Sequence, residues 1–243
     1  MDNLKTFFGK QKIDQNKKTN LVQDIFTDVS SKYDLMNDLM SFGAHRLWKK
    51  IFIDIVNPSN SERIIDVGSG SGDLVLEIQK KCLNARIDIV DLNNEMLQKG
   101  KKRINKGNVN FYLQNAENLS FENNVYDKYL ISFCLRNITD IDKSFREAYR
   151  ILKPGGTYYC LEFSKPNSFF VSNIYSFYKS NFIPFFGKIF SNNRDAYNYL
   201  NESIDMFPSQ IDIKKRMESA GFISVKYIDL FDGIVSIHTG FKY

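Results

Sequence analysis

The chain has 243 residues, 43% of them hydrophobic and 25% charged, with 33 Lys and Arg against 28 Asp and Glu. That length fits one large α/β domain with appendages, and five Pro with 13 Gly exclude collagen-like and linker-dominated chains. A formal charge of +5 is mild: it suits an acidic surface or ligand and does not by itself argue for nucleic acid.

Residues 1 to about 18 are polar and Lys-rich and predict a loose arm ahead of a single domain over 19–243. From Thr19 to Asn57 apolar residues recur at helical spacing: Leu21, Ile25 and Val29, then Leu35 and Leu39, then Leu47, Ile51 and Ile55. Pro58 closes this N-terminal helical cap. The pattern then changes. RIIDV (63–67), RIDIV (86–90), VNFYL (109–113), KYLISF (128–133) and TYYCLEF (157–163) are short apolar strands, with helices predicted over 74–82, 96–104 and 141–152. Such alternation means a mainly parallel sheet with helices on both faces. An aromatic-rich helical insert, 164–207, interrupts it. A helix over 208–220, capped by Gly221, leads to two last strands, FISVKYIDL and IVSIHTGFK, turned back at Asp232-Gly233. Seven strands are expected in the sheet.

Cys82, Cys134 and Cys160 are widely spaced with no CxxC pair, and His45 and His238 are the two histidines. This excludes a disulfide framework and a Cys/His metal centre, so no metal site is expected. The N-terminal MDNLKTFFGK has neither an apolar signal core nor an Arg-rich, acid-free presequence. No run of about 18 apolar residues occurs, so no spanning helix is expected. A cytoplasmic protein is the expectation.

The sharpest local signal is Asp66-Val67-Gly68-Ser69-Gly70-Ser71-Gly72-Asp73, between the first strand of the alternating region and its helix. Glycines there let the backbone turn tightly and approach a ligand, beside the free N–H groups of a helix start. A dinucleotide GxGxxG would need glycine at 73 or 75, where the chain has Asp73 and Val75. A carboxylate at the helix start would also repel a pyrophosphate. GxGxG after an Asp-ending strand looks instead like an S-adenosylmethionine loop, whose ligand carries no phosphate. Asp91, at the end of the next strand, can accept hydrogen bonds from ribose hydroxyls. Asn115-Ala116-Glu117 after the third strand can border an adenine ring. All three lie at the carboxyl ends of adjacent strands, where open α/β sheets bind ligands.

SKYDLMNDLMSFGAHRLWKK (31–50), GSGSGDL (68–74), NAENLSF (115–121), ISFCLRNITD (131–140), RILKPGG (150–156) and LEFSKP (161–166) resemble the ubiquinone/menaquinone biosynthesis C-methyltransferases. The resemblance continues through YNYLNESIDMFPSQ (197–210) to GIVSIHTGFKY (233–243). It implies a Rossmann-like class I methyltransferase fold, S-adenosyl-L-methionine as cofactor, and a polyprenyl quinol ring that gains a methyl on carbon. The ring is expected to be a 2-polyprenyl-6-methoxy-1,4-benzoquinol, a demethylmenaquinol, or both. Carried over residue by residue, it makes Gly68 and Ser71 the cofactor loop, Asp91 the ribose acid, Asn115 and Ala116 the adenine flank, and Ser132 the strand residue beneath the cofactor. The departures are Ser69 and Cys134 for glycine, Ser120 for proline and Thr239 for arginine.

The cofactor's methyl is already electrophilic, so the remaining task is to make an aromatic carbon nucleophilic. A phenol near pKa ~10 is mostly neutral at pH 7, and a cation or base must assist its ionisation. Arg136 and Asn137, just past the fourth strand, are the candidates to stabilise the developing oxyanion. The alternative for Arg136 is a structural pair with a carboxylate. Tyr33, Asp34 and His45 sit in the helical cap, His45 with a pKa range suited to proton transfer and the alternative of a structural hydrogen-bonder. FFVSNIYSFYKSNFIPFFGKIF (169–190) reads either as a helix packed on the core or as an apolar face that admits a polyprenyl tail, interrupted at Pro184 and Gly187. Peripheral contact with the inner face of the cytoplasmic membrane, a quinone-biosynthesis assembly and a homodimer are the partner options, and nucleic acid is not expected. The competing functions are a nicotinamide oxidoreductase, a methyltransferase for another small molecule or RNA, and a non-catalytic cofactor scaffold.

Overall fold

Strand residues of alternating direction share out between two helical layers, and this builds the molecule from the inside. In the computed structural model, which describes residues 5–29, 37–38, 41, 43–104, 107–190 and 194–243, the sheet strands are β3 (Arg63–Val67), β4 (Arg86–Asp91), β5 (Asn108–Leu113), β6 (Tyr126–Ser132), β7 (Leu152–Phe163), β8 (Ile223–Leu230) and β9 (Val235–Phe241). Their order is β5-β4-β3-β6-β7-β9-β8, parallel except at β9, which runs antiparallel to both β7 and β8. The seven-stranded, mainly parallel expectation holds. Ile64 and Ile65 show how the layers arise: successive side chains leave a strand on opposite faces. Ile64 packs with Phe52 and Ile53 of α2 (Ala44–Val56) and with Leu74 and Ile78 of α3 (Asp73–Lys81). Ile65 joins Phe145 of α5 (Ile141–Ile151) and Met217 of α8 (Gln210–Ser219) on the other face. Between α3 and α5 in the chain lies α4 (Asn94–Arg103).

Three local differences from the sequence expectation stand out. Residues 5–14, expected to belong to a loose arm, form an antiparallel hairpin of β1 (Lys5–Phe8) and β2 (Gln11–Asp14) that runs straight into α1 (Gln15–Val29). The hairpin has tertiary anchors: Phe8 stacks on Tyr199 at 4.4 Å, and the Lys10 amide donates to Glu202. The insert forms α6 (Phe169–Phe190) and α7 (Arg194–Met206), and α6 is helical through Pro184 and Gly187. A proline withholds only its own N–H and a glycine costs about 1 kcal/mol of helix propensity, so neither forces a stop. The strand expected over 157–163 begins earlier, at Leu152, so that KPGG (153–156) belongs to β7 directly after α5.

Candidate active site

β4 and β6 flank β3 on opposite sides, so the chain departs in opposite directions from β3, and a crevice opens there beyond the carboxyl ends of the strands. It is a concave cleft open to solvent, the kind of place where small-molecule ligands bind. Gly68 and Gly70 after β3, Asp91, Leu92, Asn93 and Met96 after β4, Asn115 and Ala116 after β5, and Phe133, Cys134 and Asn137 after β6 line it. Helix α1 supplies a further wall with Thr19, Val22, Gln23 and Phe26.

The loop between β3 and α3 uses up its own donors. Gly68, Gly70 and Gly72 all have positive φ, and the Gly68 and Ser69 amides donate to Val90 O at 2.8 and 3.2 Å. Gly70 N donates to Asp91 Oδ2 at 2.8 Å and Gly72 N to Ser69 O at 3.1 Å. A Cβ on Gly68 would lie 2.1 Å from Cys134 Sγ, so the cysteine that replaces a glycine after β6 rests directly on this one. Asp73, at the start of α3, is ion-paired with Lys49 at 2.6 Å and Arg103 at 2.9 Å. Burial opposes its charge, but the two cations outweigh burial and hold its pKa down at about 2. Repulsion by a bare carboxylate is therefore not what disfavours a pyrophosphate here; the spent amides of the loop are.

Asp91 brings a carboxylate to the crevice lining. Its Oδ2 accepts from Gly70 N and its Oδ1 from Asn93 N, both at 2.8 Å, which leaves the carboxylate capacity for a further donor. Burial raises its pKa, while the amides of Asn93, Gly70 and Leu92 pull it back. An acid for a diol, apolar walls from Phe26, Met96 and Ala116 for a planar base, and a loop without a phosphate nest together fit an adenosine bearing no phosphate. Asp66, beneath the loop, is fully buried; burial lifts its pKa to about 7 although Ser69 donates to its Oδ2, and its Oδ1 has no partner.

The sequence candidates divide. Gly68, Asp91, Asn115, Ala116 and Asn137 meet in the crevice. Ser71 is buried with its hydroxyl bonded to Arg103, and Ser132 is not part of the lining. Arg136 stands in the 3₁₀ turn Leu135–Asn137, 8% exposed, with Nη1 2.7 Å from Glu162 Oε1 and 2.5 Å from Phe133 O. The guanidinium ties the turn to β7, and Arg136 is not among the crevice-lining residues. Asn137 does line the crevice, and its Oδ1 accepts from Tyr199 Oη at 3.1 Å. His45 is buried on α2 with Nδ1 3.0 Å from Ser41 Oγ. Burial, reinforced by Lys49, lowers its pKa, and no contact brings it to the crevice. Tyr33 and Asp34 lie outside the described residues. The contribution of α1 was not foreseen; helical periodicity at Leu21, Ile25 and Val29 marks an amphipathic face but not what the helix covers.

Residues 11–242 match the model of the ubiE/COQ5 methyltransferase family. The ubiquinone/menaquinone biosynthesis C-methyltransferase UbiE of Rickettsia bellii (strain OSU 85-389) is 46% identical over 245 residues, covering 98% of each chain. Its namesake from Idiomarina loihiensis is 42% identical over 241 residues, 97% of this chain and 96% of that one. Among solved structures, a SAM-dependent methyltransferase of Thermotoga maritima superposes with a TM-score of 0.66 at 20% identity, covering 91% of this chain and 100% of that chain. Phosphoethanolamine N-methyltransferase 2 of Haemonchus contortus, in complex with S-adenosyl-L-methionine, gives 0.61 at 17% identity, over 80% and 52% of the two chains.

Proposed function

The chain belongs to the ubiE/COQ5 methyltransferase family, and from that premise we propose that it is an S-adenosylmethionine-dependent C-methyltransferase of polyprenyl quinols in ubiquinone and menaquinone biosynthesis. The observation that carries this reading is Asp91, a half-buried carboxylate that lines the crevice at the switch point, above a loop that offers no phosphate nest.

Gly68, Asp91, Asn115 and Ala116 would hold the cofactor, with Asn93 and Met96 beside them. When bound, S-adenosylmethionine supplies an electrophilic methyl group. The chain's own residues then have two tasks, orientation of the ring and support of its oxygen as charge develops there. Asn137 lies at the crevice with its carbonyl taken by Tyr199, so its amide group is oriented and its Nδ2 bonds none of the described residues. Such a preorganised donor suits an oxygen that gains charge. Arg136 acts one step back, fixing the turn that presents Asn137.

The exposed face of α6 supports peripheral contact with the membrane that holds such quinols. Phe169, Phe170, Ile174 and Phe177 are 82%, 73%, 54% and 63% exposed and share a surface rather than a core. Among the described residues no helix is long and apolar enough to cross a bilayer.

The test is transfer of radiolabelled methyl from S-adenosylmethionine to demethylmenaquinol, to a 2-polyprenyl-6-methoxy-1,4-benzoquinol, to RNA, and with no acceptor. Label in a quinol alone is the expected result. Label in RNA, or in nothing despite cofactor binding, would overturn it.

A further inference from the structure

Beside the cofactor crevice lies a second space of about 1140 Å³, bounded by the N-terminal hairpin, α1, α7 and the start of α5. Ile138 and Thr139 line both, so the two spaces adjoin at this short segment. Lys18 of α1 lines the second chamber and is only 7% exposed, its Nζ donating to Ile138 O at 2.9 Å. The other cations of this chamber have anionic partners: Arg136 pairs with Glu162, Arg216 with Asp142, and Lys5 with Asp14. Among the described residues no carboxylate lies within ion-pair distance of Lys18. Its remaining charged surroundings are already engaged. Glu117, in the loop after β5, accepts from the Thr139 and Asp140 amides, and Asp140 caps α5 by accepting from Lys143 N. A buried, unpaired ammonium is unfavourable unless something else completes it. Burial lowers its pKa to about 8, with Glu117 opposing, so the group is still mostly charged at neutral pH.

We propose that Lys18 binds the ring oxygen of the acceptor: the ammonium approaches that oxygen from the side of the second space, where the two spaces meet at Ile138 and Thr139, and favours its anionic form. The inference rests on the quinol reading above and adds to it a residue and a side of approach. Three further features converge there. Arg136 borders the chamber and adds a second cationic side chain to its wall. Tyr199 lines the chamber while its hydroxyl orients Asn137 in the crevice. Phe7, Met206 and Phe207 give the chamber the apolar surface an aromatic ring requires. No proton acceptor need be named for this role; the cation shifts the ionisation of the ring hydroxyl, and its proton leaves to solvent.

The competing role is mechanical, since the bond to Ile138 O also anchors α1 over the cofactor. Glutamine separates the two, because Lys18→Gln keeps a donor for that carbonyl and loses the charge, whereas Lys18→Arg keeps the charge. The probe is an alkylated nitrophenol whose anion alone absorbs visible light, titrated against the full chain without turnover. Wild-type protein and Lys18→Arg should bind the anion about tenfold or more tighter than the neutral phenol, and Lys18→Gln should lose that preference. With quinol, Lys18→Gln should lower kcat about 10- to 100-fold at unchanged cofactor affinity. Absence of an anion preference in the wild-type protein would overturn the proposal. So would a Lys18→Gln protein that matches wild type, or loss of cofactor affinity and turnover together in both variants. A protein that ionises the probe through Lys18 yet methylates no quinol would overturn the quinol reading and leave the oxyanion site standing.

Discussion

Arg136 and Glu162 are each more than nine-tenths buried, and each is the other's charge partner. Removing one member strands the other, which costs about 3–5 kcal/mol, whereas replacing both with apolar residues of similar volume is often neutral. Glu162→Gln is therefore expected to lower stability toward urea steeply, and Arg136→Met with Glu162→Leu to recover most of it. The recovered protein should still lack activity, because the Nη1 bond to Phe133 O that shapes the turn is gone. Asp91 predicts the reverse profile. Asp91→Ala removes the acceptor for the ribose and should weaken cofactor binding by about 1.5–3 kcal/mol in calorimetry. It also frees the amides of Gly70 and Asn93, so a modest fall in melting temperature accompanies it. Unchanged affinity in this variant would remove Asp91 from the cofactor site.

Element by element, strands were the most legible feature of the sequence: β3 coincides with RIIDV, and β4 and β5 differ from RIDIV and VNFYL by a residue each. Buried parallel strands are continuous apolar runs, which periodicity detects directly. The site residues that were legible, Gly68, Asp91, Asn115 and Ala116, sit where strand ends meet the crevice, so sheet topology alone delivers them. Ser71 and Ser132 do not line it, because the direction of a side chain depends on partners such as Arg103 that come from elsewhere in the chain. The hairpin at 5–14 was hidden too, since its strands are polar and their anchors, Tyr199 and Glu202, lie in the insert. For α6 the exposed aromatic face has a measurable consequence. Replacing Phe169, Phe170 and Phe177 with Ser should abolish co-sedimentation with anionic vesicles and raise KM for long-tailed quinols, with tailless ring analogues turned over as before. Binding by the wild-type protein should weaken as salt rises. Equal partitioning of both proteins would confine α6 to a structural role.

Across the whole molecule, two buried groups set opposing responses to pH. Asp66 ionises near 7 when folded and near 3.8 otherwise, so its contribution is complete at low pH and is lost as pH rises to about 7. His238 is buried against Gln210 O, and burial lowers its pKa from 6.5 to about 4, so its contribution is present above 6.5 and lost as pH falls through that interval. Over pH 4 to 6.5 the two partly cancel. Asp66→Asn should make stability rise more steeply with pH in that window than in the wild-type protein, as read from melts at pH 4.5 and 6.5; parallel curves would show that Asp66 ionises normally. The edge shared at Ile138 and Thr139 has a consequence of another kind. The same two residues border both spaces, so an occupant of one that shifts them reshapes the edge of the other. Whatever factor an occupant of one side imposes on affinity at the other must be returned in equal measure. The order in which two substrates arrive can change the path taken to the loaded enzyme but never the energy of reaching it.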